Sequence, residues 1–134
     1  MTVDFNKYVD FVGSVTSPAS RDTGEFILRV TDLKSQGADI QRLLTAACGI
    51  TAEGGEFTEI VKKIAFQGKP YTEENIFHMK RELGDILWYI AQACIALDIS
   101  FEEIAQMNFE KLTARYPEGA FSIERSENRV ANDV

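Results

Sequence analysis

The sequence predicts an all-α protein: a helical bundle with two long antiparallel helices carrying acidic pairs, assembled as a homo-oligomer. Three observations predict it. Apolar residues recur at helical spacing from Phe5 to Tyr116, and Gly, Pro and Ser/Thr/Asp signals fall at the breaks. Two of the periodic stretches are long, from Ile40 to Phe66 and from Thr72 to Asp98. The stretch Leu83 to Leu97 is apolar almost all round, the pattern of a helix covered on more than one side. A chain of 134 residues has few helices to supply that cover. A second copy of the chain would supply it; the alternative is one bundle that wraps the helix completely.

The elements follow in order. Asp4 to Val15 forms a short amphipathic helix with Phe5, Tyr8, Val9 and Val12 on one side, and Gly13, Ser17-Pro18 and Ser20 break it. Phe26, Ile27, Val30 and Leu33 mark a second short helix ending near Gly37. Asp39 can cap the long helix from Ile40 to Phe66, which Gly68-Lys69-Pro70 ends. Thr72 is a good N-cap for the next helix, and Glu73 and Glu74 favour the positive end of its dipole. Ser100 with Glu103 three residues on forms a capping box for the last long helix, which stops at Tyr116-Pro117. The polar segment from Glu124 reads as a mobile tail. No repeat or linker divides the chain, so residues 1–123 are expected as one domain and 124–134 as the tail.

Hydrophobic residues make up 45% of the chain, enough for a folded core. The net charge of −7 argues against binding to a nucleic-acid backbone, which needs a basic surface. The longest mostly apolar run is too short to span a bilayer, and the N-terminus shows no secretion signal. Cys48 and Cys94 have no metal-type spacing and read as reduced core or interface residues. A cytoplasmic protein without a membrane partner is the expectation.

The chemistry lies in two acidic pairs at i, i+3 spacing, Glu53 with Glu56 and Glu82 with Asp85. That spacing puts both members of a pair on one helix face. At about 100° per residue, Leu43, Ala47, Ile50, Gly54, Phe57, Ile60, Val61 and Ile64 define an apolar arc. Glu53 lands inside it, Glu56 at its edge and Glu59 one step outside. On the next helix Ile76, Met79, Leu83, Ile86, Leu87, Ile90 and Leu97 define the arc. Glu82 borders it, and Asp85 occupies a face with almost no other charge. Antiparallel packing would bring the pairs together. Four like charges that close need a cation, and a hard divalent ion such as Mg²⁺, with Mn²⁺ as a substitute, suits carboxylate oxygens. Glu59 is either the surface partner of Lys63 at i+4 or an auxiliary ligand or base.

On the last helix Asn108, Lys111 and Arg115 fall within or beside the inner face defined by Phe101, Ile104, Ala105, Leu112 and Tyr116. They either form internal salt bridges or line a pocket for phosphates. His78 stands alone, in a packing or surface role rather than as a ligand. Trp88 and Tyr89 read as core or interface aromatics before base-stacking platforms.

At these residues the chain resembles the all-α nucleoside triphosphate pyrophosphatase superfamily, and its MazG-like members in particular. The matching stretches are Glu53-Gly-Gly-Glu56-Phe-Thr-Glu59, Glu82-Leu-Gly-Asp85-Ile-Leu-Trp-Tyr, and Asn108-Phe-Glu-Lys111-Leu-Thr-Ala-Arg115-Tyr-Pro-Glu-Gly. The usual pattern has Glu-Glu before the first pair. Here the first of those is Ala52, which removes one outer acidic contact. The resemblance implies Mg²⁺-dependent hydrolysis of a nucleoside triphosphate to monophosphate and pyrophosphate, with deoxynucleotides for pool control or house-cleaning as the expected substrates. It implies Glu53, Glu56, Glu82 and Asp85 as metal ligands, Asn108, Lys111 and Arg115 as nucleotide contacts, and a homodimer or homotetramer. A non-catalytic acidic interaction module is the alternative; inward Lys111 and Arg115 are what such a module would not need.

Overall fold

The computed structural model describes residues 3–128. Seven helices account for them: α1 (Phe5–Val15), α2 (Pro18–Arg21), α3 (Thr23–Ser35), α4 (Ile40–Phe66), α5 (Glu73–Leu97), α6 (Phe101–Arg115) and α7 (Ile123–Glu127). No strand occurs among the described residues, so the protein is all-α. The chain divides into two compact units, Met1–Gln41 and Arg42–Val134.

In the first unit, Asp4 caps α1 by accepting from the amides of Asn6 at 3.1 Å and Lys7 at 3.3 Å. Gly13 lies inside α1 rather than ending it, because one glycine weakens a helix without stopping it. Asp22 closes α2 and caps α3, accepting from the Glu25 amide at 2.9 Å. Gly37 ends this helical run in the left-handed region, φ +89°, where the Ala38 amide reaches the Leu33 carbonyl at 3.0 Å.

In the second unit, the turn before α5 is tied down by Asn75. This buried side chain donates to the Pro70 carbonyl at 2.7 Å, so its burial leaves no polar group unpaired. Thr72 caps α5, and Asp98 closes it with a left-handed φ of 53°. The Ser100–Glu103 capping box opens α6, both of its hydrogen bonds present. Ser122 caps α7. The expected polar tail, 124–134, lies outside the described residues from 129 on.

The packing face of α4 differs from the apolar arc. Ala46 and Gly49 are its buried residues, while Ala47, Ile50 and Val61 are exposed. The covered line runs Arg42, Ala46, Gly49, Glu53, Phe57, Ile60 and Ile64, rotated by roughly 60° from the apolar arc. Small residues set the rotation: a Cβ on Gly49 would lie 2.1 Å from the Tyr89 ring, so α5 approaches where α4 has no side chain. On α5 the covered line is Asn75, Met79, Glu82, Ile86, Tyr89, Ala93 and Ala96, a strict alternation of four and three. Arg42 Nη1 donates to Gln92 Oε1 at 2.6 Å, Tyr89 covers Gly49, and Glu53 meets Glu82 and Asp85. Partners thus descend along α5 as they ascend along α4.

Replacing Gly49 by Ala is expected to destabilise the fold by about 1–3 kcal/mol, because the Tyr89 ring must move. Replacing Gly54 by Ala, where a Cβ meets nothing within 4 Å, is expected to stabilise it by up to about 1 kcal/mol. Thermal melts of the two variants beside the parent chain check the opposite signs.

Candidate metal centre

Glu53 and Glu82 belong to the covered lines of their helices, and both are half-buried. Asp85, one turn beyond Glu82, is exposed. One carboxylate oxygen from each of the three lies within 4.8 Å of the others. Neither helix alone could make this cluster; it exists because Ala46 and Gly49 let the helices come close.

The electrostatics follow from the crowding. The Glu53 carboxyl is held above its usual value near 4.5. Partial loss of solvent is the first cause; the negative charges of Glu56, Asp85 and Glu82 and a hydrogen bond with Glu82 add to it. Without a cation, Glu53 therefore gives up its proton less readily than a free glutamate does. The donor set is all carboxylate oxygen, the ligand type of Mg²⁺, Mn²⁺ or Ca²⁺ rather than of a soft ion. The residues therefore fit a hard divalent metal.

Glu56 is exposed and acts on Glu53 as a neighbouring charge. Glu59 is engaged by both lysines that follow it: Lys62, and Lys63 at 3.1 Å. These bonds hold the Glu59 carboxyl below its usual value, Lys62 contributing more than Lys63. The surface pair expected for Glu59 is thus present, with a second lysine added. It does not remove Glu59 from the site. Glu56, Glu59 and Glu82, with His78, Ala52, Gly55 and Ile60, line one recess of about 440 Å³ against the cluster.

The residues of α6 stand differently. Asn108 is exposed, while Lys111 and Arg115 are half-buried. None of the three lines the recess, and the cluster consists of acids from α4 and α5. A larger cavity, about 680 Å³, lies at the α5–α6 elbow between Ala91 and Glu103 and holds none of the predicted site residues. Sequence reasoning set His78 aside because it is the only histidine. Its signal was its place one turn before Glu82, at i, i+4. Cys48 is exposed and Cys94 buried, and neither forms a disulfide. No single helix among the described residues is long and apolar enough to cross a membrane.

Comparison with known proteins gives a consistent result. The chain is 36% identical over 81 residues to the Gene 37 protein of Mycobacterium phage L5, a match that covers 60% of this chain and 71% of that protein. No solved structure matches the chain. The model of the MazG nucleotide pyrophosphohydrolase domain matches residues 41–120, from the start of α4 to the turn beyond α6, and on that match the chain belongs to the MazG nucleotide pyrophosphohydrolase family.

Proposed function

We propose that the protein is a Mg²⁺-dependent nucleoside triphosphate pyrophosphohydrolase that converts a deoxynucleoside triphosphate to its monophosphate and pyrophosphate. The observation that carries this reading is the convergence of Glu53, Glu82 and Asp85 from two helices within a family-matched segment. Glu53, Glu56, Glu82 and Asp85 would hold Mg²⁺, or Mn²⁺ in its place. When bound, the ion would supply charge neutralisation for the phosphate chain and acidify a water. The residues themselves do the rest. Glu59 faces the recess beside the cluster and can orient an attacking water or take its proton. Lys111, and Arg115 with it, would meet the charge that develops on the leaving pyrophosphate, and Asn108 would contact the nucleotide. One catalytic domain over residues 1–123 and a cytoplasmic setting complete the proposal.

A homo-oligomer belongs to the same proposal. Leu83, Leu87, Trp88, Ile95 and Leu97 of α5 are exposed, between 48% and 62%. Gly84 lies among them, and a Cβ there would meet nothing within 4 Å. Unlike Gly49, it has no neighbour in its own chain that needs the space. An apolar stripe with a small residue near its start suits a second helix from another copy.

Incubation with a panel of nucleoside and deoxynucleoside triphosphates and Mg²⁺, with products separated by chromatography, tests the activity. Monophosphate and pyrophosphate in equal amounts are expected. Glu53→Gln and Asp85→Asn should lower turnover by at least about 100-fold while circular dichroism stays helical. Absence of product from every nucleotide would favour the interaction module. In light scattering, the expected mass is a multiple of the chain mass, and Trp88→Glu should shift it towards the single chain.

The raised Glu53 value has a definite sign. At Glu53 the folded, metal-free chain holds its proton to higher pH than the unfolded chain, so the contribution of this group to stability should fall as pH rises through the window between 4.5 and the raised value. Glu59 has the opposite sign, its contribution being lost only as pH falls below 4.5 through its lowered value. Mg²⁺ should reverse the loss at higher pH, adding about 2.7 kcal/mol at a hundredfold excess over its Kd. Glu53→Gln should flatten the metal-free slope. Thermal melts across this range in EDTA and in Mg²⁺ measure both effects.

A further inference from the structure

We propose that His78 is a water-positioning residue of the hydrolytic site, an inference that rests on the pyrophosphohydrolase reading above. The polar walls of the recess beside the cluster are Glu56, Glu59 and Glu82, which when ionised only accept hydrogen bonds. Lys62 and Lys63 are committed to Glu59. With Glu56 and Glu82 given to Mg²⁺ in the reading above, Glu59 is the acid of the recess left to accept from a water molecule, a donor of two hydrogen bonds. Ala52 and Gly55 leave the space unfilled, and a Cβ on Gly55 would meet nothing within 4 Å.

His78 is the one side chain lining this recess that offers both a donor and an acceptor in its neutral form. It sits one helical turn before Glu82 on α5 and lines the same recess as Glu56 and Glu59 of α4. A ring nitrogen of His78 accepts one O–H of the water, and the Glu59 carboxylate accepts the other. A lone pair of the oxygen is then left for attack. In the step itself the water oxygen bonds to phosphorus, and the bridging P–O bond breaks with its electron pair going to the departing phosphate group. The proton goes to the glutamate. His78 gains no proton; it fixes the direction of the oxygen, so its loss should act on turnover rather than on substrate affinity.

The experiment compares the parent chain with His78→Ala and His78→Gln, using the best nucleotide from the panel and Mg²⁺. His78→Ala is expected to lower kcat roughly 10- to 100-fold with KM changed less than about twofold. His78→Gln, whose amide oxygen also accepts a hydrogen bond, should recover part of the loss. The Mg²⁺ concentration at half-maximal thermal stabilisation, a readout independent of turnover, should stay the same in both variants. Unchanged kcat would overturn the proposal. So would a loss carried by KM, which would place a phosphate in the recess, or a weakened response to Mg²⁺, which would make His78 a metal ligand. A parent chain inactive on every nucleotide would instead overturn the pyrophosphohydrolase reading and this inference with it.

Discussion

The close approach of α4 to α5 at Gly49 is the constraint on which the rest of the second unit depends. A helix pair lined by leucines keeps its axes apart, and short acidic side chains on its seam then point past one another. Here the small residues Ala46 and Gly49 lie on the line that leads to Glu53. The Tyr89 ring covers Gly49 so closely that even a methyl group has no place. This contact pins the two helices one turn from the acids. It also sets which face of α4 is turned inwards, and so makes Glu53 a seam residue instead of a surface one.

That approach creates an electrostatic debt. Partial loss of solvent raises Glu53 first, and the repulsion among carboxylate oxygens within 4.8 Å of one another adds to it. The lysines that follow on α4 give no relief, because Lys62 and Lys63 are drawn to Glu59 on the other side of the recess. The same pairing keeps Glu59 ionised and facing the site. The fold thus separates two kinds of acid: those of the seam, left without a counter-charge from the neighbouring lysines, and Glu59, held as an anion by two lysines. A charged acceptor at that place suits holding a water molecule beside the seam acids.

Much of this was legible in the residues. The boundaries of α4, α5 and α6 follow from Phe66 before Gly68, from Thr72 and from the Ser100 box, all local signals with a local cause. Glu53 and Glu82 were legible as acids among apolar neighbours. The true packing face of α4 was not. Periodicity weights large apolar side chains, whereas α5 approached where side chains are smallest, and that choice needs the partner helix to be known. Asp98 shows the same limit at short range: its left-handed turn depends on how α5 ends against the start of α6. His78 was passed over because a lone histidine carries no pattern; only the recess gives it neighbours.

The exposed side of α5 extends the argument beyond one chain. Among the described residues the buried hydrophobics are only Ala46 and Cys94. Each large apolar side chain left in water forgoes roughly 1.5–3 kcal/mol, so covering the exposed stripe of α5 would add to the stability of the fold. Trp88 stands one turn from Asp85, so whatever covers the stripe comes to rest beside the acids. In the proposed oligomer, covering the stripe would also draw solvent away from the exposed Asp85, the member of the cluster with the most water to lose. Assembly would then sharpen the need for a cation at the site. Stability and chemistry would be coupled through one helix, with its inner line forming the site and its outer line closing it.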